Sequence, residues 1–160
     1  MSKPQRISTC LWYDRDGEET ANLYTSLFEN SRVTSVSRYG KGAPLPEGTA
    51  WLVEFTLDGV PFQALNGGPH FKLTEAASLS VACDTQGEID RLWSRLTANG
   101  GAESHCGWLK DRFGLSWQIV PSMMAAWMCD PDPARVARVV AAFMPMAKLD
   151  IAALETAYRG

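Results

Sequence analysis

The stretch DRFGLSWQIVP, residues 111–121, decides the fold. An Asp-x-x-Gly turn opens an apolar, strand-like run, and that run carries one amide, Gln118. A buried amide is costly unless its hydrogen bonds are made. Moving back 55 residues, Gly114 falls on Gly59, Trp117 on Phe62, Gln118 on Gln63 and Val120 on Leu65. Asp58-Gly59 is a strong hairpin signal. Both stretches therefore read as the closing strand of a hairpin, each with a glutamine at the same place.

The chain around them repeats the same order of elements. ISTCLWY (7–13) predicts a strand, and DRDGEE (14–19) a turn leading into a helix with acids in its first turn. Ala21, Tyr24, Leu27 and Phe28 continue that helix to about residue 28. RVTSVSRY (32–39) is β-branched and reads as a strand, GKGAPLPEG (40–48) as a loop, and 50–67 as the hairpin. The second half gives a strand at ASLSVAC (77–83) and a helix at 85–101, with Ile89, Leu92, Trp93 and Leu96 on one face and a stop at Asn99-Gly100-Gly101. Residues 102–120 then read as shorter strands ending in a hairpin. The order is β-α-β-β-β, twice. An offset of 69 places Thr9 on Ser78, Glu19 on Glu88, Leu23 on Leu92, Tyr24 on Trp93, Leu27 on Leu96 and Asn30 on Asn99, which argues for an internal duplication.

Beyond Pro121 the pattern changes. ARVARVVAAFM (134–144) is helical by composition, and LDIAALETAYRG (149–160) predicts a last helix with Asp150 as its N-cap. Five of the six methionines lie between 123 and 146. This tail packs on its own domain or meets a partner subunit, and both readings stand at this level.

Composition narrows the class. In 160 residues, 46% hydrophobic and 21% charged, the pattern is that of a globular protein of one domain or two small halves. A net charge of -3 with scattered Lys and Arg gives no case for nucleic acid or anionic lipid, and no apolar run is long enough to span a membrane. MSKPQRISTC has no apolar core after its basic residues and does not read as a secretory signal. The cysteines at 10, 83, 106 and 129 form no C-x-x-C pair, so they are expected as reduced thiols in the cytoplasm, with Cys10 and Cys83 serving as small hydrophobes.

LWYDRDGEETANLYTSLFENSRV, FTLDGVPFQALNGGPHFK and CGWLKDRFGLSWQIVP together resemble the PhnB-like family of the vicinal oxygen chelate superfamily, which includes glyoxalase I, extradiol dioxygenases and bleomycin-resistance proteins. The PhnB-like family often carries the name 3-demethylubiquinone-9 3-methyltransferase. The resemblance implies an α+β fold of two βαβββ modules forming a cupped, mostly antiparallel sheet, as one domain over 1–160. Module one would run from about 5 to 68, module two from about 76 to 121, with a C-terminal helical extension over 122–160. It also implies a homodimer. Metal-binding relatives take one ligand from the first and one from the last strand of each module. The matching positions are Thr9, Gln63, Ser78 and Gln118. Hydroxyls and neutral amides are a poor set for a divalent transition metal, so no metal and no cofactor are expected.

Strand alternation predicts which residues share the glutamines' face. They are Ile7, Leu11 and Tyr13 with Thr9, Pro61 and Leu65 with Gln63, Ser80 and Ala82 with Ser78, and Ser116 and Val120 with Gln118. Phe62, Leu79, Val81, Trp117 and Ile119 take the other face, under the helices. The mixed face suits an uncharged or weakly polar organic ligand. Equally, Gln63 and Gln118 can satisfy each other, or backbone groups, across the pseudo-twofold. In NGGPHFK (66–72), Asn66 and His70 are expected near the mouth of the cup. His70 is the leading general-base candidate, against a solvated linker histidine. Asp111, in the alternating KDR segment (110–112), is a weaker acid-base candidate, against a solvated strand edge. His105 and Cys106 are adjacent on a strand and point apart.

Methyl transfer has no Gly-rich strand-to-helix turn to hold a nucleoside cofactor, since DRDGEE is not such a loop. The leading expectation is a small organic molecule bound in the cup without a metal. The alternatives are non-metal acid-base catalysis, a metal-dependent lyase, isomerase or dioxygenase, and a dimeric interaction protein. Fold alone does not choose among them.

Overall fold

The computed structural model describes residues 6–160. The MSKPQ part of the N-terminal reading lies outside the described residues. The chain divides into two compact units, Met1–Leu73 and Thr74–Gly160.

The first unit holds β1 (Thr9–Tyr13), α1 (Gly17–Thr25), β2 (Arg32–Arg38), β3 (Ala50–Leu57) and β4 (Val60–Asn66). Its sheet runs β1-β4-β3-β2, with β1 parallel to β4 and the other pairs antiparallel. One face is apolar and carries α1. Tyr24 is fully buried there, and Phe55 and Phe62 stack at 5.5 Å between centroids. α1 is shorter than the sequence suggests. The Ser26 hydroxyl bonds back to the Leu23 carbonyl at 2.6 Å and the Leu27 N–H reaches Tyr24 at 3.0 Å, so the last turn tightens. Leu27 remains core. The first strand also starts later than expected, and Ile7 stands 83% exposed before it.

The second unit repeats the plan with β5 (Ser78–Cys83), α2 (Gln86–Thr97), a 3-10 turn at Ala98–Gly100, β6 (Ala102–Glu103), β7 (Trp108–Lys110) and β8 (Ser116–Pro121). The sheet order is β5-β8-β7-β6, again with its first and last strands parallel. α2 starts at Thr85, whose hydroxyl accepts from Glu88 N–H at 3.1 Å, and it buries Ile89, Leu92, Trp93 and Leu96 as its spacing requires. The duplication extends to the backbone. Asn30 and Asn99 both adopt left-handed φ, 50° and 57°, after their helices, and Gly59 and Gly114 do so, at 76° and 92°, in their turns.

The C-terminal segment forms three helices, α3 (Met124–Met128), α4 (Pro133–Phe143) and α5 (Ile151–Arg159). The first was not separated from its neighbour by composition. Asp150 caps α5, its Oδ1 accepting from Ala153 N–H at 2.9 Å. Trp127, Val139, Leu149 and Leu154 form a buried cluster with Met124, Met128 and Met146 against it. Cys106 N–H and Gly107 N–H bond the carbonyls of Met146 and Ala147 at 2.7 and 2.8 Å. Most of the methionine-rich tail thus packs within its own unit, while Met123 and Met144 stay exposed.

Candidate functional site

In the second unit the strand register places Ser78 beside Ser116, Ser80 beside Gln118 and Ala82 beside Val120. Neighbours in register share a face, so these six lie together, joined from β7 by Trp108 beside Gln118 and Lys110 beside Ser116. Leu79, Val81, Trp117 and Ile119 turn the other way, with Trp117 and Ile119 sealed under the helix side. Gln118 donates its amide N–H to the Ser78 hydroxyl at 2.9 Å. The glutamine is thus held by a serine of its own sheet. Ser116 is only 1% exposed and its hydroxyl finds no hydrogen-bond partner among the described residues.

The first unit departs from the expected arrangement. Pro61, Gln63 and Leu65 do share a face, but their β1 neighbours are Cys10, beside Gln63, and Trp12, beside Leu65. Thr9, Leu11 and Tyr13 align with Phe62, Ala64 and Asn66 on the helix-covered face, where Leu11 and Tyr13 are buried. The cause is one residue. Cys10 and Ser80, the neighbours of the two glutamines, differ by 70 in number, whereas Gly17 and Gln86, the first residues of the two helices, differ by 69. The first turn between strand and helix is longer by one, and a one-residue slip turns a strand over. Cys10 is also exposed rather than a core hydrophobe, though desolvation pushes its thiol pKa up.

Gln63 donates to Glu54 Oε1 at 3.3 Å, and Ser35 donates to Glu54 Oε2 at 2.6 Å. The Ser35 hydroxyl, then the Gln63 amide, holds the Glu54 carboxyl below its ordinary range. Each glutamine therefore has a partner inside its own unit. Glu54 and Trp12 were missed by sequence reasoning. Glu54 sits one strand over from Gln63 in a hairpin whose register was legible, so pairing the hairpin across Asp58-Gly59 would have found it.

Asn66 does not reach an opening. It is 1% exposed, its Oδ1 accepts from Gly17 N–H at 2.8 Å at the start of α1, and its Nδ2 donates to the Ala50 carbonyl at 2.9 Å. It pins helix to sheet. His70 is exposed in the turn after β4. That turn is shaped by Trp12, whose indole N–H donates to the Gly68 carbonyl at 2.8 Å and whose ring meets Phe71 edge-on at 4.9 Å. A Cβ on Gly67 would lie 2.2 Å from the Trp12 ring, so only glycine fits. Asp111 is not on a solvated edge. It is 3% exposed, Oδ1 accepts from Phe113 N–H at 2.9 Å and Leu115 N–H at 3.1 Å, and Oδ2 accepts from the Trp117 indole at 2.8 Å. The carboxylate is committed to the turn before β8.

The donor chemistry does not suit a tightly held divalent transition metal. Cys10 replaces Thr9 beside Gln63, but desolvation favours its protonated form; Glu54 is a single carboxylate there, its two oxygens taken by Ser35 and Gln63, and Gln63, Ser78 and Gln118 are neutral amides and a hydroxyl. Among the described residues, no three His, Cys, Asp or Glu side chains are grouped to hold a metal ion.

The family described as 3-demethylubiquinone-9 3-methyltransferase matches residues 5–120. The chain belongs to that family. A PhnB protein from Bacillus cereus, described with the same methyltransferase name, is 37% identical over 73% of this chain and 99% of its own, with a TM-score of 0.68. Protein PA1353 of Pseudomonas aeruginosa is 19% identical, covering 71% of this chain and 94% of its own, at a TM-score of 0.57. The fosfomycin resistance protein FosX from Mesorhizobium loti is 13% identical, covering 81% and 100%, at 0.56. The last two share the fold alone. The PhnB-like chain thus has the α+β glyoxalase/bleomycin-resistance fold, with C-terminal helices added. No functionally curated protein matches it. Among the described residues no helix is long and apolar enough to cross a membrane.

Proposed function

We propose that this PhnB-like chain binds a small organic molecule on the polar face of its sheets, with no metal in the binding step. The observation that carries this reading is the Gln118 amide. Its N–H is fixed by Ser78, and its carbonyl oxygen accepts from no described residue. A side chain locked by one bond offers the other end as a preorganised ligand contact. Apolar neighbours Ala82, Val120 and Trp108 supply contact area on the same face. The experiment is a thermal-shift screen of small organic compounds, since a ligand that binds only the native state raises Tm. A hit whose shift disappears in Gln118→Leu, measured against that variant's own unliganded Tm, supports the reading. A hit that is indifferent to Gln118 and Ser78 refutes it.

We further propose a cytoplasmic homodimer. All four cysteines are free thiols, as a reducing compartment requires, and the family resemblance supports the dimer. Sedimentation at micromolar concentration giving a mass near 17.6 kDa would refute the dimer.

A further inference from the structure

On the β6–β7–β8 side of the second unit lies a cavity of about 210 Å³, lined among others by Glu75, Ala102, Glu103, Trp108, Lys110 and Ser116. One feature of it has no structural explanation in the fold. Ser116 is 1% exposed and its hydroxyl is unpartnered among the described residues. Buried hydroxyls are nearly always bonded, and an exception asks for a reason. Beside it in register stands Lys110, on the same face. The Lys110 ammonium is held by the carboxylate of Glu75, a residue of the segment before β5 whose side chain is 66% exposed. The cavity therefore sets a cation beside Ser116 of its wall, with the cation occupied by an exposed acid from the chain itself.

We propose that this cavity takes the carboxylate of a small organic monoacid, and that Glu75 stands in for that carboxylate when no ligand is bound. The inference rests on the small-molecule reading above and names the ligand's class. The ligand carboxylate pairs with Lys110, and Ser116 donates a hydrogen bond to one of its oxygens, giving the charge-assisted contact its geometry lacks. Trp108 and Ala102 supply an apolar wall for the acid's short carbon chain. The volume is below the 300–1,000 Å³ or so typical of drug-sized ligands, which limits the occupant to a few heavy atoms. A second carboxylate is disfavoured. Glu103 lines the same cavity, its carboxylate held in place by the Trp93 indole N–H at 2.7 Å, and like charges repel.

The test is an amide-resolved NMR titration of the whole chain with propionate, its uncharged isostere propionamide, and succinate, at constant ionic strength. Propionate is expected to shift the Lys110 and Ser116 amides in saturable fashion, with propionamide and succinate much weaker. Glu75→Gln should tighten propionate about two- to fivefold, the range expected for relief of one exposed ion pair. Lys110→Met should abolish the response. Ser116→Ala should weaken it without lowering Tm, because the hydroxyl removed had no partner to strand. Propionamide binding as well as propionate, or propionate binding that survives Lys110→Met, overturns the carboxylate assignment and leaves the small-molecule reading standing. Propionate leaving Lys110 and Ser116 unmoved even in Glu75→Gln also overturns it. If a broad compound panel also fails to move Ser78 and Gln118, both readings fall.

Discussion

Removing the Asp111 carboxylate should destabilise the second unit severely. Its two oxygens accept from two backbone N–H groups, of Phe113 and Leu115, and from the Trp117 indole. The Leu115 and Trp117 donors are buried, and Phe113 N–H is half-buried, near enough to solvent to find water. A stranded buried donor costs about 1–3 kcal/mol, so Asp111→Ala should cost about 2–6 kcal/mol, a large share of a typical margin of roughly 5–15 kcal/mol. Asp111→Asn is the finer probe. Its Oδ1 keeps both backbone bonds, while its NH₂ faces the Trp117 N–H, donor against donor, at about 1–3 kcal/mol. In a Trp117→Phe background that penalty should vanish, because no indole donor remains. Urea denaturation of the four proteins in the Asp111→Asn, Trp117→Phe cycle isolates the coupling from the volume lost in the core. An Asp111→Ala protein within about 0.5 kcal/mol of the parent, the usual range for a surface change, would refute the assignment. So would an Asp111→Asn penalty that is the same in both backgrounds.

Other outcomes follow from the same geometry. The Gln118→Leu and Ser78→Ala changes should be non-additive by about 0.5–1.5 kcal/mol in melting experiments, the worth of one hydrogen bond, and strict additivity would remove their pairing. Gly67→Ala should lower stability by about 1–3 kcal/mol through collision with the Trp12 ring 2.2 Å away, and trimming Trp12 to Ala in the same chain should remove the sensitivity to position 67. The buried Cys83 thiol is pushed up to about 12 from an ordinary 9.0, first by desolvation and then by Glu88. A disulfide reagent at mildly alkaline pH should therefore label the exposed Cys10 and Cys129 while Cys83 waits for unfolding. The raised pKa also fixes a sign. Above pH 9 the unfolded thiol releases its proton while the folded one retains it to about 12, so this contribution to stability declines as pH rises through that window and is absent in Cys83→Ala.

Much of this molecule was written locally. The helix faces, the Asp150 cap, the Asp58-Gly59 turn and the twofold β-α-β-β-β order all follow from spacings within a dozen residues, and the structure holds each of them. The second unit's polar face was legible too, because Ser78, Ser80, Ser116 and Gln118 alternate in two strands whose register matched the reading. What the sequence did not contain was the pairing of β1 with β4. Those strands are parallel and joined only through the rest of the unit, so their register is fixed by how α1 and the hairpin pack. One extra residue before α1 turns Thr9, Leu11 and Tyr13 onto the helix side and brings Cys10 and Trp12 beside Gln63 and Leu65. The same holds for the polar groups. A string of letters shows Asn66, Asp111 and Ser116 as equally available side chains. Only the packed chain sends Asn66 to the Gly17 N–H and Asp111 to the Trp117 indole, and leaves the Ser116 hydroxyl buried with no partner among the described residues. Hydrophobic periodicity is a property of neighbours along the chain, whereas a hydrogen bond is satisfied by whatever tertiary contact brings within 3 Å or so.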